Sequence, residues 1–186
     1  MIRPNASPDE YLSPFFIKNK LFCEEFEQFI AKHKGEVKGK FNAQSYLITG
    51  RISQPKNWIL TYKKSVFSST GNLFLSSKKQ SLYVIAEWKT KRIANPDTEF
   101  VIKKKNFFDK IKMNFNNKFQ TLSINNNYLI ESNFPSSELI KKLSIILEKL
   151  FISKEIYQIK LENGELLIFL HTEKHHFDIF TKIVLL

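Results

Sequence analysis

The chain has 186 residues, of which 42% are hydrophobic and 25% charged, so it is long enough to bury a core of its own, and disorder over most of its length is excluded. The formal net charge is +11, but lysine supplies 26 of the 29 basic residues, a skew that AT-rich coding sequence also produces, and the arginines are Arg3, Arg51 and Arg92 alone. A single cysteine, Cys23, excludes an internal disulfide and a cysteine-held zinc; with no signal-like apolar run at the start and no charge-free stretch of membrane-spanning length, the expected location is cytoplasmic.

Residues 1–12 are polar, carry Pro4 and Pro8 and show no period, which predicts a loose arm ahead of one α+β domain over 13–186. Ser13-Pro14 reads as a helix cap followed by proline at the first helical position. Phe15, Phe22, Phe26, Phe29 and Ile30 then recur at helical spacing, predicting a helix over 14–34. The following Gly35-Glu36-Val37-Lys38-Gly39-Lys40-Phe41 resembles a phosphate loop. However, its first gap is one residue short and Phe41 stands where a metal-binding hydroxyl belongs, so a helix stop and turn is expected instead.

From Gly39 to Lys105 the pattern changes to short β-rich runs, 45–49, 58–62, 82–90 and 99–103, which read as an antiparallel meander. In the longest run Leu82, Val84, Ala86 and Trp88 alternate with Tyr83, Ile85, Glu87 and Lys89, so one face is core. Pro135 to Glu138 starts a second helix, expected over 137–151, with Leu139, Leu143, Ile146, Leu147 and Leu150 as its apolar stripe. Runs 156–161 and 165–171 flank Asn163-Gly164, whose tolerance of positive φ predicts a tight C-terminal β-hairpin. The expected fold is thus an antiparallel sheet with two main helices, one near each end of the chain.

Charge is unevenly placed. Residues 51–118 hold fifteen Lys or Arg against Glu87, Asp97, Glu99 and Asp109, an excess equal to the whole net charge. Lys63, Lys64, Lys78, Lys79, Lys89, Lys91, Arg92, Lys103, Lys104 and Lys105 fall at strand ends or on adjacent predicted strands. Converging on one sheet rim, they would attract phosphates; dispersed, they are a solvated surface that protects sheet edges. Directly after them Phe107 and Phe108 sit among lysines, as in segments that insert into membrane surfaces, and the same spacing describes a short helix filling the core with Phe107 and Ile111 on one face.

Reactive groups are sparse. His171, His175 and His176 with Glu173 and Asp178 form the one cluster that suggests metal, but His-Thr-Glu-Lys-His lacks the metalloprotease order and begins at the end of a predicted strand, so a polar turn is expected. Cys23 has acidic neighbours that disfavour thiolate, which reads as a structural thiol. No catalytic residue, metal or cofactor site is expected. The sequence points to a non-enzymatic interaction module acting on a protein partner. The alternatives are a basic module for nucleic acid or an anionic membrane surface using residues 51–118, and an enzyme whose site is assembled from distant residues.

The order Phe119-Gln120-Thr121-Leu122-Ser123, Tyr128-Leu129-Ile130, Phe134-Pro135 through Leu150, then Leu166-Leu167-Ile168-Phe169 with Phe177 resembles a bacterial family known as domain of unknown function 3137. The front half, with its helix, Gly50 and strands ending in Phe100-Val101-Ile102, is similar to that family's usual beginning. The resemblance implies architecture and no active site. Members often carry membrane helices ahead of the domain, and none is expected here.

Overall fold

A computed structural model describes residues 1–68, 80–91, 99–109, 118–134 and 137–185. The chain divides into two compact units, Met1–Glu87 with Thr172–His175, and Trp88–His171 with His176–Leu186.

The first unit begins with structure where a loose arm was expected. Strand β1 (Ile2–Pro4) is followed by a 3-10 turn at Pro8–Leu12. That turn is held by a capping box in which the Ser7 amide donates to Glu10 Oε2 at 2.8 Å. Glu10 also accepts from the Ala43 amide at 3.3 Å, and its carboxyl is held below the ordinary range, chiefly by the Ser7 amide. Helix α1 (Pro14–Lys32) starts as the sequence predicts, with Ser13 Oγ accepting from the Phe15 amide. Phe16, Asn19, Cys23, Phe26 and Ile30 make its buried stripe. The helix stops before Lys34, which is left-handed (φ 53°), and the segment expected as a turn continues as strand β2 (Glu36–Phe41).

Strands β2, β3 (Tyr46–Ile52) and β4 (Trp58–Ser68) pair antiparallel. In contrast, β1 pairs parallel to β2, so the sheet is mixed and not purely antiparallel. The parallel pair follows from connectivity, since parallel neighbours need a long crossover and α1 supplies it. Alternation sends Ile48, Ile52, Leu60 and Tyr62 toward α1, where they are buried. Gly50 is required at the crossing because an added Cβ would lie 2.6 Å from Ile30 Cδ1. The returning residues Thr172–His175 complete this unit: His175 stacks on Phe22 at 3.7 Å, and its carbonyl accepts from the Tyr62 hydroxyl at 2.7 Å.

Strand β5 (Gln80–Lys91) runs from the first unit into the second. The second unit contains β6 (Phe100–Lys104), β7 (Phe119–Thr121), β8 (Tyr128–Ser132), β9 (Ile156–Glu162) and β10 (Glu165–Leu170), in the spatial order β10-β9-β6-β8-β7 with antiparallel pairs throughout. The β9–β10 hairpin turns at Asn163 (φ 50°) and Gly164 (φ 70°), as the sequence predicts.

The helix expected over 137–151 is two, α2 (Glu138–Ile146) and α3 (Glu148–Ile152). They part at Leu147, after Ser144 Oγ bonds back to the Ile140 carbonyl at 2.7 Å, a contact that bends helices. The break lets Leu147, Leu150 and Phe151 all turn inward, with Phe151 against Tyr128 at 4.9 Å. A further helix, α4 (Phe177–Ile183), sets Phe180 on Trp88. The described residues thus carry an α+β fold that is mostly sheet, with helices beyond the two expected.

Candidate anion-binding groove

The basic residues singled out in the sequence do not share one environment. Lys78, Lys79 and Arg92 lie outside the described residues, as does Ile111. Lys63 and Lys64 belong to the first unit and Lys89, Lys91 and Lys103 to Lys105 to the second.

Lys64 points into the first unit's core and is only 9% exposed. Its ammonium donates to Asn19 Oδ1 at 3.1 Å, and Asn19 is fixed in turn by donating to the carbonyls of Asn42 and Ala43. Burial, then the neighbouring Lys18, lowers its pKa against a smaller opposing pull from Glu173. A lysine so placed is not a surface contact for phosphate.

In the second unit Lys89 and Lys91 both face Glu165, at 2.5 and 3.9 Å, and Lys103 pairs with the buried Asp109 at 3.2 Å. Three of the expected contacts are thereby matched to carboxylates.

Lys63 stands on β4 in the first unit, and the second unit's other two candidates, Lys104 and Lys105, lie at one end of β6. Lys104 is exposed at the strand's last residue, opposite Tyr128. The Lys105 amide donates to the Asn127 carbonyl at 2.8 Å and its ammonium to Thr121 Oγ1 at 2.6 Å. The chain then turns through residues 107–109, closed by a reciprocal cap: the Asn106 amide donates to Asp109 Oδ2 at 2.8 Å and the Asp109 amide to Asn106 Oδ1 at 2.9 Å. Buried Asp109, also held by Lys103, fixes this turn so that Phe107 and Phe108 face outward, 75% and 69% exposed, with their rings edge to face at 5.9 Å. The core-filling role weighed for this pair is not what the structure has.

Across from this turn, Asn125 holds the β7–β8 connection. Its Nδ2 donates to the Phe151 carbonyl at 2.8 Å and its Oδ1 accepts from the Asn127 amide at 2.9 Å. Asn126 and Asn127 are left exposed. Left-handed Lys154, just past α3, comes to the same place. Lys104, Lys105, Phe107, Asn126, Asn127 and Lys154 thus surround a groove of about 650 Å³ above Tyr128. Its chemistry is three ammonium groups, two amides able both to donate and to accept, and one aromatic face. Lys154 and the two asparagines had no place among the sequence candidates. The positive φ at Lys154 is set by the helix end, and nothing local in the sequence ties it to Lys104.

The three histidines of the expected cluster occupy different environments. His175 is buried, with Nε2 at 2.9 Å from the Phe22 carbonyl; His176 Nε2 lies 2.7 Å from Glu155; His171 stacks on Tyr157 and titrates below its ordinary range through desolvation and then Lys104. Among the described residues no group of three or more His, Cys, Asp or Glu is placed to hold a metal. Cys23 is buried, and its thiol is pushed up to about 12 by burial and then by Glu27 and Glu24, so it is a poor nucleophile at neutral pH. No helix among the described residues is long and apolar enough to cross a membrane. Set against family models, curated proteins and solved structures, the chain matches none.

Proposed function

We propose that the chain is a non-enzymatic binding module whose second unit takes single-stranded nucleic acid along the groove beside β6. The observation that carries this reading is Phe107, a largely exposed ring at the edge of a groove lined by lysines and free-standing amides. Apolar rings are normally buried, and the Asn106–Asp109 cap holds this one out. A base stacked on such a ring gains about 1–3 kcal/mol whatever its identity, while lysines neutralise the phosphates on either side. We prefer this anionic ligand to the protein partner expected from the sequence because the groove's rim is cationic and polar rather than apolar. Sequence preference should be slight, because lysine contacts position a strand and few of the described groove residues, the asparagine amides, are suited to base edges.

A second reading rests on Phe108, which is nearly as exposed as Phe107: the two rings would insert together into an anionic membrane surface. Anisotropy titrations with a labelled oligothymidylate, and co-sedimentation with phosphatidylserine vesicles, separate the two. On the nucleic-acid reading, Phe107→Ser weakens oligonucleotide binding about 5- to 100-fold, Lys104→Gln with Lys154→Gln flattens its salt dependence, and Phe108→Ser has little effect. Vesicle binding that needs both rings, without oligonucleotide binding, would establish the membrane reading. Absence of both leaves the groove without an anionic ligand.

A further inference from the structure

The first unit carries a second basic surface that no run of sequence announces. Its sheet has one face on α1 and one away from it, and the strand register fixes what stands on the outer face. Directly paired residues share a face, so Arg3, Lys40, Leu47 and Lys63 form one row across β1 to β4. Lys38, Thr49 and Thr61 form the next row, and Glu36, Arg51 and Ile59 the one after. Burial agrees with the alternation: Arg3, Lys38, Lys40 and Arg51 are exposed, while Phe41, Tyr46, Ile48 and Ile52 between them are buried. Five cations therefore share a face on which Glu36 is the single acid among these rows. Among the described residues none of Arg3, Lys38, Lys40 and Arg51 makes an ion pair.

The spacing is set by the sheet itself. Cations two apart on a strand are about 7 Å apart, and neighbouring strands are about 5 Å apart. The patch thus covers on the order of 13 Å of length, over which a duplex presents on the order of eight phosphates. Two of the chain's three arginines are here, and arginine grips phosphate with two parallel hydrogen bonds. The three rows hold no aromatic ring to stack a base and no asparagine or glutamine to read one; their neutral positions are Thr49, Thr61, Ile59 and Leu47. Leu47 and Ile59 alone are too little apolar surface for insertion into a bilayer.

We infer that the outer face of the β1–β4 sheet is a docking surface for the phosphate backbone of double-stranded nucleic acid, bound without regard to sequence. It lies in a different unit from the groove and uses none of its residues, so either can fail alone.

Binding of a labelled mixed-sequence 30-bp DNA duplex between 50 and 200 mM KCl tests it. Four neutralised phosphates predict a slope of log K against log salt of about −3.6, a loss of roughly 150-fold over that range. Lys38→Gln with Lys40→Gln should lower the slope by about two, adding Arg3→Gln and Arg51→Gln should abolish binding, and Glu36→Gln should tighten it. All four cations are exposed, so these variants should melt close to the wild type; the double variant and Glu36→Gln serve if the quadruple one does not fold. The groove variant Lys104→Gln with Phe107→Ser should bind duplex as the wild type does while losing the oligothymidylate. Failure of the wild type to bind duplex at 50 mM KCl, an unchanged slope in the quadruple variant, or binding to phosphatidylserine vesicles in place of duplex would overturn the assignment.

Discussion

Gly50→Ala places one methyl group at the closest approach of α1 to the first unit's sheet. Its Cβ would stand 2.6 Å from both Cδ1 and Cγ1 of Ile30 and 2.7 Å from Cζ of Phe26, where carbon atoms normally keep about 3.5–4.0 Å. These are the ends of side chains and would yield if there were room, but Ile30 and Phe26 are both 0% exposed, so α1 itself must lift by close to an ångström. Overpacking of this kind costs about 1–3 kcal/mol, which for a chain of this size lowers Tm by roughly 2–12 °C. Calorimetry on the single variant, on Ile30→Ala and on the double variant gives a cycle. Ile30→Ala alone should cost about 2–5 kcal/mol, and in its background Gly50→Ala should cost clearly less than in the wild type, because both Ile30 contacts are gone and the remaining one, Phe26 Cζ at 2.7 Å, can move into the vacated space. An unchanged Tm for Gly50→Ala, or the same cost in both backgrounds, would refute the packing argument.

At Gly164, φ is +70° and an added Cβ would meet nothing within 4 Å, so Gly164→Val should cost about 1–2 kcal/mol through the backbone alone; an unaltered melting curve would contradict this. Lys64 should appear in the pH dependence of stability. Its folded pKa is below the ordinary 10.5, so between the two values the unfolded chain binds more protons and stability rises with pH. The stability of the wild type relative to Lys64→Met should therefore increase toward pH 10, and a flat or falling difference in chemical denaturation would count against the buried ammonium.

The elements that the sequence made legible are those with local chemistry. Ser13-Pro14 marks the start of α1, and Asn163-Gly164 marks the hairpin, because cap and turn requirements are met within two or three residues. Elements defined by distant partners were missed. Strand β1 is three residues whose reason to be extended is β2, and α4 starts after His176 with no side-chain cap to announce it. The same distinction governs the sites. Phe107 and Phe108 were found because they adjoin a lysine run, but the groove needed Asn126, Asn127 and Lys154, which only the fold brings near. Summing charge over residues 51–118 cut Arg3, Lys38 and Lys40 away from Arg51 and Lys63, with which they share a face. The odd–even alternation of β2 and β3 was the signal available, and it becomes readable once their register is known.

Thr172–His175 belong to the unit built from the first 87 residues, and this sets an order of events during synthesis. A ribosome adding about 5–20 residues per second needs on the order of 10 s to travel from Glu87 to His175. Throughout that interval Phe22 and Tyr62 wait without the imidazole that stacks on one and the carbonyl that the other binds. The amino-terminal half emerges first and is finished last. A nascent chain paused in the hundred-and-fifties would therefore display uncovered aromatic surface, an invitation to chaperones that the completed protein withdraws.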